Sequence, residues 1–455
     1  MLGELPASAE GRAARASTRT RAALARGVLA VVLWTASALA AVGCWDRHEL
    51  PTLALATAVA FDEPPGAQGV LMTMQVAIPS RIAGAGGGVG AGGGAGGGTA
   101  PGMPFARTAS GPQGPTTWVV GAPGRTVAEA LERITLFSSR LPALAHLRVI
   151  VLGEELARSG VGTLLDALAR ERDFRRTAWV VVARGVPAYR VLELPNPLFA
   201  SAAAGIAGQQ ETLAFRTALV LPRRLHAFMA DYVEPGVDPV VPAVSFAHPV
   251  PADRALTPGG QAEPPALLAV EGTAVFRKGQ LVGWLSPEET RALVLLKGLS
   301  RQFLLVTDCP GVKGAVSVNA IRFTTRRKLL PPRPAGGGSQ ASPSLPRFAV
   351  RVVVEGNLFE QTCLPPLDAM ALRRVEERLA GKLEADIRRT LARLHGELRA
   401  DAAGFGQQLY RAEPALWNKL SPHWRGLLPQ IEVDVEVQVR IRRTGLITGE
   451  VEPRQ

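Results

Sequence analysis

Residue types that usually carry chemistry are scarce in this chain of 455 residues: it has three cysteines, three tyrosines, six histidines and six lysines. Each scarcity excludes something. His48, His146, His226, His248, His395 and His423 are dispersed without ligand spacing and read as surface or packed residues. There is no Gly-x-Ser-x-Gly elbow, no His-Glu-x-x-His and no dinucleotide or Walker fingerprint. No catalytic, cofactor-binding or metal-binding residue is therefore assigned, and the chain reads as a non-enzyme. Glu154-Glu155 is a paired carboxylate only in sequence, because adjacent helical residues do not face each other; it reads as a capping or solvated pair. The formal charge of +12 would ordinarily suggest nucleic acid. The basic residues are nearly all arginines scattered beside Ala and Gly, with no basic block interleaved with aromatics, so nucleic acid is not expected as a partner.

A membrane span is also missing. The uncharged apolar stretch from Gly27 to Val42 falls short of the roughly 20 residues that a crossing helix needs. Arg12, Arg15, Arg19, Arg21 and Arg26 precede it, and Gly43-Cys44 follows. A basic n-region, a short apolar h-region and a small residue before the cut make residues 1–43 a signal peptide. A small residue directly before cysteine specifies lipoprotein processing, so Cys44 is expected to carry the lipid and hold the chain on the outer face of the membrane. The next three residues form a candidate membrane-proximal tether. Trp45 suits the interface, and Asp46 with Arg47 can fix the tether against the first domain; a plain tether is the alternative. With Cys44 lipidated, Cys309 and Cys363 remain, either paired in an oxidising compartment or free and packed as small hydrophobes.

At this length two or three domains can each bury a core, and 47% apolar against 20% charged residues keeps disorder local. Residues 44–195 read as an N-terminal α/β domain. It opens with strands from Leu53 to Phe61 and Val70 to Ile78, and the Gly/Ala/Pro/Ser-rich stretch at about 80–115 is an insertion with nothing to pack. A strand from Trp118 leads to the capping box Thr126-Val-Ala-Glu129 and a helix. Further strands follow at His146 to Leu152 and Ala178 to Ala183, separated by a broken helical pattern.

Residues 196–264 read as a small, alanine-rich, mostly helical middle domain with a Pro-rich linker from Ala243. Residues 265–450 read as a C-terminal α+β domain. It opens with a hairpin, Glu271 to Phe276 and Leu281 to Trp284, followed by a helix start at Ser286-Pro287-Glu288-Glu289. Leu372, Val375, Leu379, Leu383, Ile387, Leu391, Leu394 and Leu398 put one apolar stripe on a long helix. Ile431, Val433, Val435, Val437, Val439 and Ile441 alternate with polar residues, as in a half-buried antiparallel strand. The two elements are expected to pack against each other. The fold class is therefore multi-domain α+β, with an antiparallel C-terminal sheet on a long helix.

Four stretches are similar to the Ger(x)C family, lipoprotein subunits of nutrient germinant receptors in spore-forming bacteria. They are Gly43-Cys-Trp-Asp-Arg-His-Glu-Leu50, His146 to Glu155, Val270 to Phe276 with Val282-Gly-Trp284, and Asp401 to Thr448. The last is the most specific, with Gly404-Phe-Gly406, Trp417 and Arg442-Arg-Thr-Gly-Leu-Ile447 in the family's order. The resemblance covers Cys44 to about Thr448 and departs from the family at the insertion after Pro79, at Pro331 to Pro346 and at Ala402-Ala403. It implies a non-catalytic C subunit that assembles with receptor A and B subunits, anchored by its lipid to the outer face of the inner spore membrane or cell membrane. A reading from a different class is the substrate-binding lipoprotein of an envelope transporter, which requires two similar α/β lobes about a hinge.

Overall fold

The computed structural model describes residues 27–35, 37, 50–66, 68–79, 115–194, 196, 198–247, 266–299, 302–331, 345–363 and 367–443. The chain divides into Met1–Leu53 and Ala54–Gln455. In the first unit residues 27–35 are helical and exposed. Among the described residues no helix is long and apolar enough to cross a membrane. The expected signal-cleavage site, Cys44, Trp45, Asp46 and Arg47 lie outside the described residues, as do the low-complexity insertion, most of the Pro-rich linker and the stretch after Arg443.

The first sheet is assembled around parallel strands. Strands β1 (Leu53–Asp62) and β2 (Val70–Ala77) pair antiparallel, and β3 (Thr117–Gly124) adds to β2. Helix α1 (Val127–Thr135) follows; the Thr126 hydroxyl accepts from Glu129 N, while the Glu129 carboxylate accepts from Arg125 N, one residue earlier than a standard capping box. Short strand β4 (Leu141–Ala143) pairs with β1. Strand β5 (Val149–Leu152) lies parallel to β1, and β6 (Trp179–Ala183) lies parallel to β5, with α2 (Glu154–Ser159) and α3 (Gly162–Arg170) between them. Both strands are continuous apolar runs with every residue buried, as a sheet covered on two faces demands.

The expectation of a separate middle domain is corrected at this point. After α4 (Ala188–Glu193), α5 (Ala202–Arg216), β7 (Arg223–Arg224) and α6 (Leu225–Val233), the chain enters β8 (Val240–Ala247). Strand β8 sits inside the same sheet, parallel to β6 and antiparallel to β9 (Leu267–Arg277), which pairs with β10 (Gln280–Leu285). The strand order is β10-β9-β8-β6-β5-β1-β2-β3. Pro242 makes this segment look like a linker, since proline cannot donate to a ladder. Here the register shifts between Pro242 and Val244, so an irregularity absorbs it. The hairpin expected to open the C-terminal domain is instead the far edge of the first sheet.

Helix α7 (Pro287–Lys297) has the full capping box, with the Ser286 hydroxyl accepting from Glu289 N and the Glu289 carboxylate accepting from Ser286 N. The second sheet has the order β11 (Phe303–Asp308), β12 (Ala315–Leu330), β13 (Arg347–Gln361), β14 (Glu432–Arg443). Long helix α8 (Ala369–Ala392) buries Val375, Leu379, Leu383, Ile387 and Leu391 in one core with Val435, Val437 and Val439 of β14, the expected facing. Strand β14 is parallel to β13, however, with Val435 opposite Val350 and Val437 opposite Val352, which corrects the expected antiparallel pairing. Alternation reports which face is buried and is silent on direction. Helices α8, α9 (Phe405–Ala412) and α10 (Pro414–Leu420) form the crossover that parallel neighbours require. Cys309 and Cys363 form a disulfide between the ends of β11 and β13, which decides between the two alternatives for this pair.

Candidate functional site

Two clusters gather buried or convergent polar groups. The first is a cleft of about 630 Å³ beside the carboxyl ends of β1, β5 and β6. The chain leaves β1 for β2 on one side and leaves β5 for β6 on the other, so the cleft lies where the connections diverge, the position at which open α/β sheets bind ligands. Asp62, at the end of β1, reaches across to the start of α4: one carboxylate oxygen accepts from Ala188 N at 2.8 Å and the other from Tyr189 N at 3.0 Å. Burial pushes its carboxyl above the ordinary range, against the pull of those two N–H groups. A Cβ at residue 153 would run into the Asp62 carboxylate, so the start of α2 is open only to glycine. Glu154 accepts from Gly185 N at 3.0 Å and from Arg158 at 2.7 Å. Burial raises its pKa, but those bonds outweigh it and leave the carboxyl below the ordinary range. Both carboxylates are thus committed to tying strand ends together, and Glu154 does so without capping its own helix, which has no side-chain cap. The arrangement holds loops in place and leaves no opposed acid and base.

The second cluster joins the two sheets. Asp401 is buried, and its carboxylate accepts from Gly404 N, Phe405 N, Gly406 N and the Trp424 indole at 2.7, 2.9, 2.7 and 3.0 Å. Its own N–H donates to the carboxylate of Asp238 at 2.8 Å, and Asp238 N donates back to Asp401 O at 3.0 Å. Asp238 also accepts from Arg425 at 2.7 Å. Since Asp238 lies just before β8, this reciprocal pair ties the first sheet to the helical crossover of the second.

Cations surround the loop that Asp401 organises. Lys297, at the end of α7, donates to Ala402 O at 2.8 Å, and Arg327 donates to Ala403 O at 2.6 Å and Gly404 O at 2.9 Å. Burial pushes the Lys297 ammonium down to about 7; nearby Arg223 and Arg327 add to this and Asp401 opposes it. Burial likewise lowers Arg327 and His395, with Asp401 again opposing. Backbones approach closely here. A Cβ on Gly406 would meet the Trp424 Nε1 at 2.7 Å, Gly236 Cα at 2.8 Å and the Trp417 ring at 2.8 Å.

Gly404-Phe-Gly406 and Trp417, singled out by resemblance, are therefore brought together around Asp401, the first residue of the matched stretch; of Arg442 to Ile447, only Arg442 and Arg443, at the end of β14, lie within the described residues. Asp238, Lys297, Arg327, Trp424 and Arg425 were missed, because each acquires its role only through contacts distant in sequence. Among the described residues no group of three His, Cys, Asp or Glu side chains is placed to hold a metal ion.

Two family models match the chain in order: "Spore germination protein N-terminal domain" over residues 46–246 and "Spore germination B3/GerAC like, C-terminal" over residues 271–445. Spore germination protein KC of Bacillus subtilis (strain 168) is 28% identical over 433 residues, covering 93% of this chain and 97% of that protein. Spore germination protein B3 of the same organism is 22% identical over 428 residues, covering 90% and 96%. The crystal structure of the GerBC protein matches with a TM-score of 0.50 at 19% identity, covering 84% of this chain and 96% of that one, a likeness of fold.

Proposed function

The chain belongs to the Ger(x)C family of spore germination proteins, and from that premise we propose that it is the lipid-anchored, non-catalytic C subunit of a spore nutrient germinant receptor. The observation that carries the reading is the ordered match of both family models, over residues 46–246 and 271–445. Cys44 is the acylated residue, with Trp45, Asp46 and Arg47 as the tether. The protein sits on the outer face of the inner spore membrane or cell membrane and assembles there with receptor A and B subunits. Its buried charges serve architecture: Asp62, Asp238 and Asp401 each spend their carboxylates on backbone N–H groups or on another protein side chain. A substrate-binding lipoprotein would need two similar lobes, and the large mixed sheet and the four-stranded sheet are unlike.

Two measurements test this reading. In a host fed labelled palmitate, Cys44→Ala is expected to carry no label, and label retained on that variant would remove the anchor assignment. The protein is expected to co-purify from spore membranes with the A and B subunits; recovery only with a transport permease would overturn the receptor reading.

A further inference from the structure

The two ends of the first sheet carry opposite character. At the carboxyl end of the parallel strands the cleft is lined by four acids, Asp62, Glu63, Glu154 and Glu155, and one cation, Arg158, which is paired with Glu154. At the amino end, basic residues lead into the strands: Arg148 directly precedes β5, and the loop into β6 holds Arg172, Arg175 and Arg176 against Glu171 and Asp173. The amino end is also apolar at its surface. A second cleft, of about 620 Å³, is formed there by the start of β1 at Ala54, the end of β2, Trp118 of β3 and the turn after α1 with Phe137 and Arg140. Leu136 is 81% exposed, Phe137 65% and Trp118 37%, an unusual set of large apolar side chains to leave in water side by side with arginines.

We infer that this amino-terminal edge of the first sheet is a second membrane contact, in which Leu136, Phe137 and Trp118 enter the headgroup region of an anionic bilayer while Arg140, Arg148 and Arg176 meet its phosphates. The inference rests on Cys44 being the lipid anchor. Ala54, at this edge, follows Cys44 by ten residues, a stretch that spans at most about 35 Å when fully extended. A chain of this size folds to roughly 50 Å across. An anchor on so short a leash keeps the edge that carries Ala54 near the bilayer and leaves the acidic edge facing away. Chemistry agrees with reach: aromatic and leucine side chains beside arginines are the residue set of interfacial binding to an anionic surface.

The test uses the lipidated full-length protein on vesicles of phosphatidylglycerol and phosphatidylethanolamine containing doxyl-labelled lipid. A bimane probe is placed at Phe137→Cys or, at the opposite end, at Glu63→Cys; both positions are exposed, so both variants are expected to fold. Quenching at residue 137 is expected to exceed that at residue 63 at least threefold, and Arg148→Glu with Arg176→Glu is expected to halve it while the protein still sediments. Sedimentation with equal quenching at the two positions would overturn the membrane face and leave the anchor standing. Protein left in the supernatant would overturn the anchor and the face together. Crosslinking of residue 137 to a protein in spore membranes, with no quenching in lipid vesicles, would assign the face to a protein partner and overturn the proposal.

Discussion

The first sheet and the second sheet divide the large unit between two styles of construction. The first draws its neighbours from far apart in sequence, so that β8 lies between β6 and β9 and β1 lies between β2 and β5. Local sequence identifies its strands but gives no account of their order. The second keeps β11, β12 and β13 in chain order and lays one long helix on them, so its buried faces follow from periodicity alone. The comparison separates two kinds of information. Amphipathic pattern states what must be buried; the identity and direction of the neighbour come from the connections.

The contrast breaks most sharply at the clasp between the sheets. Asp401→Ala would strip the acceptor from four N–H donors, two of them within one turn of α9, and remove the charge opposing Lys297. A loss of about 4 kcal/mol is expected. In urea unfolding followed by tryptophan fluorescence, the two sheets should then melt in separate steps. A single transition at the wild-type midpoint would mean that the clasp does not couple them.

A charge placed on the second sheet's buried face comes next. Val435→Asp gives up roughly 1.5–3 kcal/mol of valine burial and adds an unpaired carboxylate under α8, so a total of about 4 kcal/mol is expected. Glu436→Lys, one residue along on the exposed face, should stay within about 0.5 kcal/mol of wild type. Thermal melts of the pair check the facing, and the reverse ranking would invert it.

Reduction of Cys309–Cys363, which closes a separation of 54 residues, should cost about 3 kcal/mol and act on the second sheet alone. Hydrogen exchange before and after reduction would show it as faster exchange in β11 to β13 and none in β5 and β6.

The last effect is pH-dependent and sits where the two sheets meet. Lys297 has a folded pKa near 7, below its unfolded value, so between about pH 7 and 10 the unfolded chain holds the extra proton. Stability therefore rises with pH through that window, by up to about 1.4 kcal/mol per unit, and the gain is absent below pH 7, where both states are protonated. Lys297→Met should flatten the slope between pH 7 and 9 in denaturation midpoints. A slope unchanged by that substitution would show that another group titrates.

Legibility followed the same division. Helix α7 was readable to the residue, because Ser286, Pro287 and Glu289 announce its start by local hydrogen bonding, and the stripe from Val375 to Leu391 announced the buried side of α8. Strand β8 was hidden by Pro242, which signals a break that the sheet absorbs through an irregular register. The parallel sense of β14 was invisible because alternation is the same in either direction. Of the clasp, the glycines at residues 404 and 406 and Trp417 came through family resemblance, and Asp401 only as the first residue of the matched stretch. Asp238, Lys297 and Arg327 did not, since a buried cation or carboxylate has no local signature when its partners lie in another part of the chain. Cys44 and its three neighbours, expected from residue order, composition and the resemblance at Gly43 to Leu50, lie outside the described residues.

The parallel pairing of β13 with β14 makes the fold sensitive to its own completion. Strand β13 leaves one edge open, and α8 leaves its leucines uncovered, until the whole crossover has been made and β14 arrives. Neither element can settle early, because the last partner is supplied from far downstream and the loop it closes is long. A chain cut short between the end of α8 and residue 432 would leave one edge of β13 unpaired and the face of α8 that packs on β14 bare.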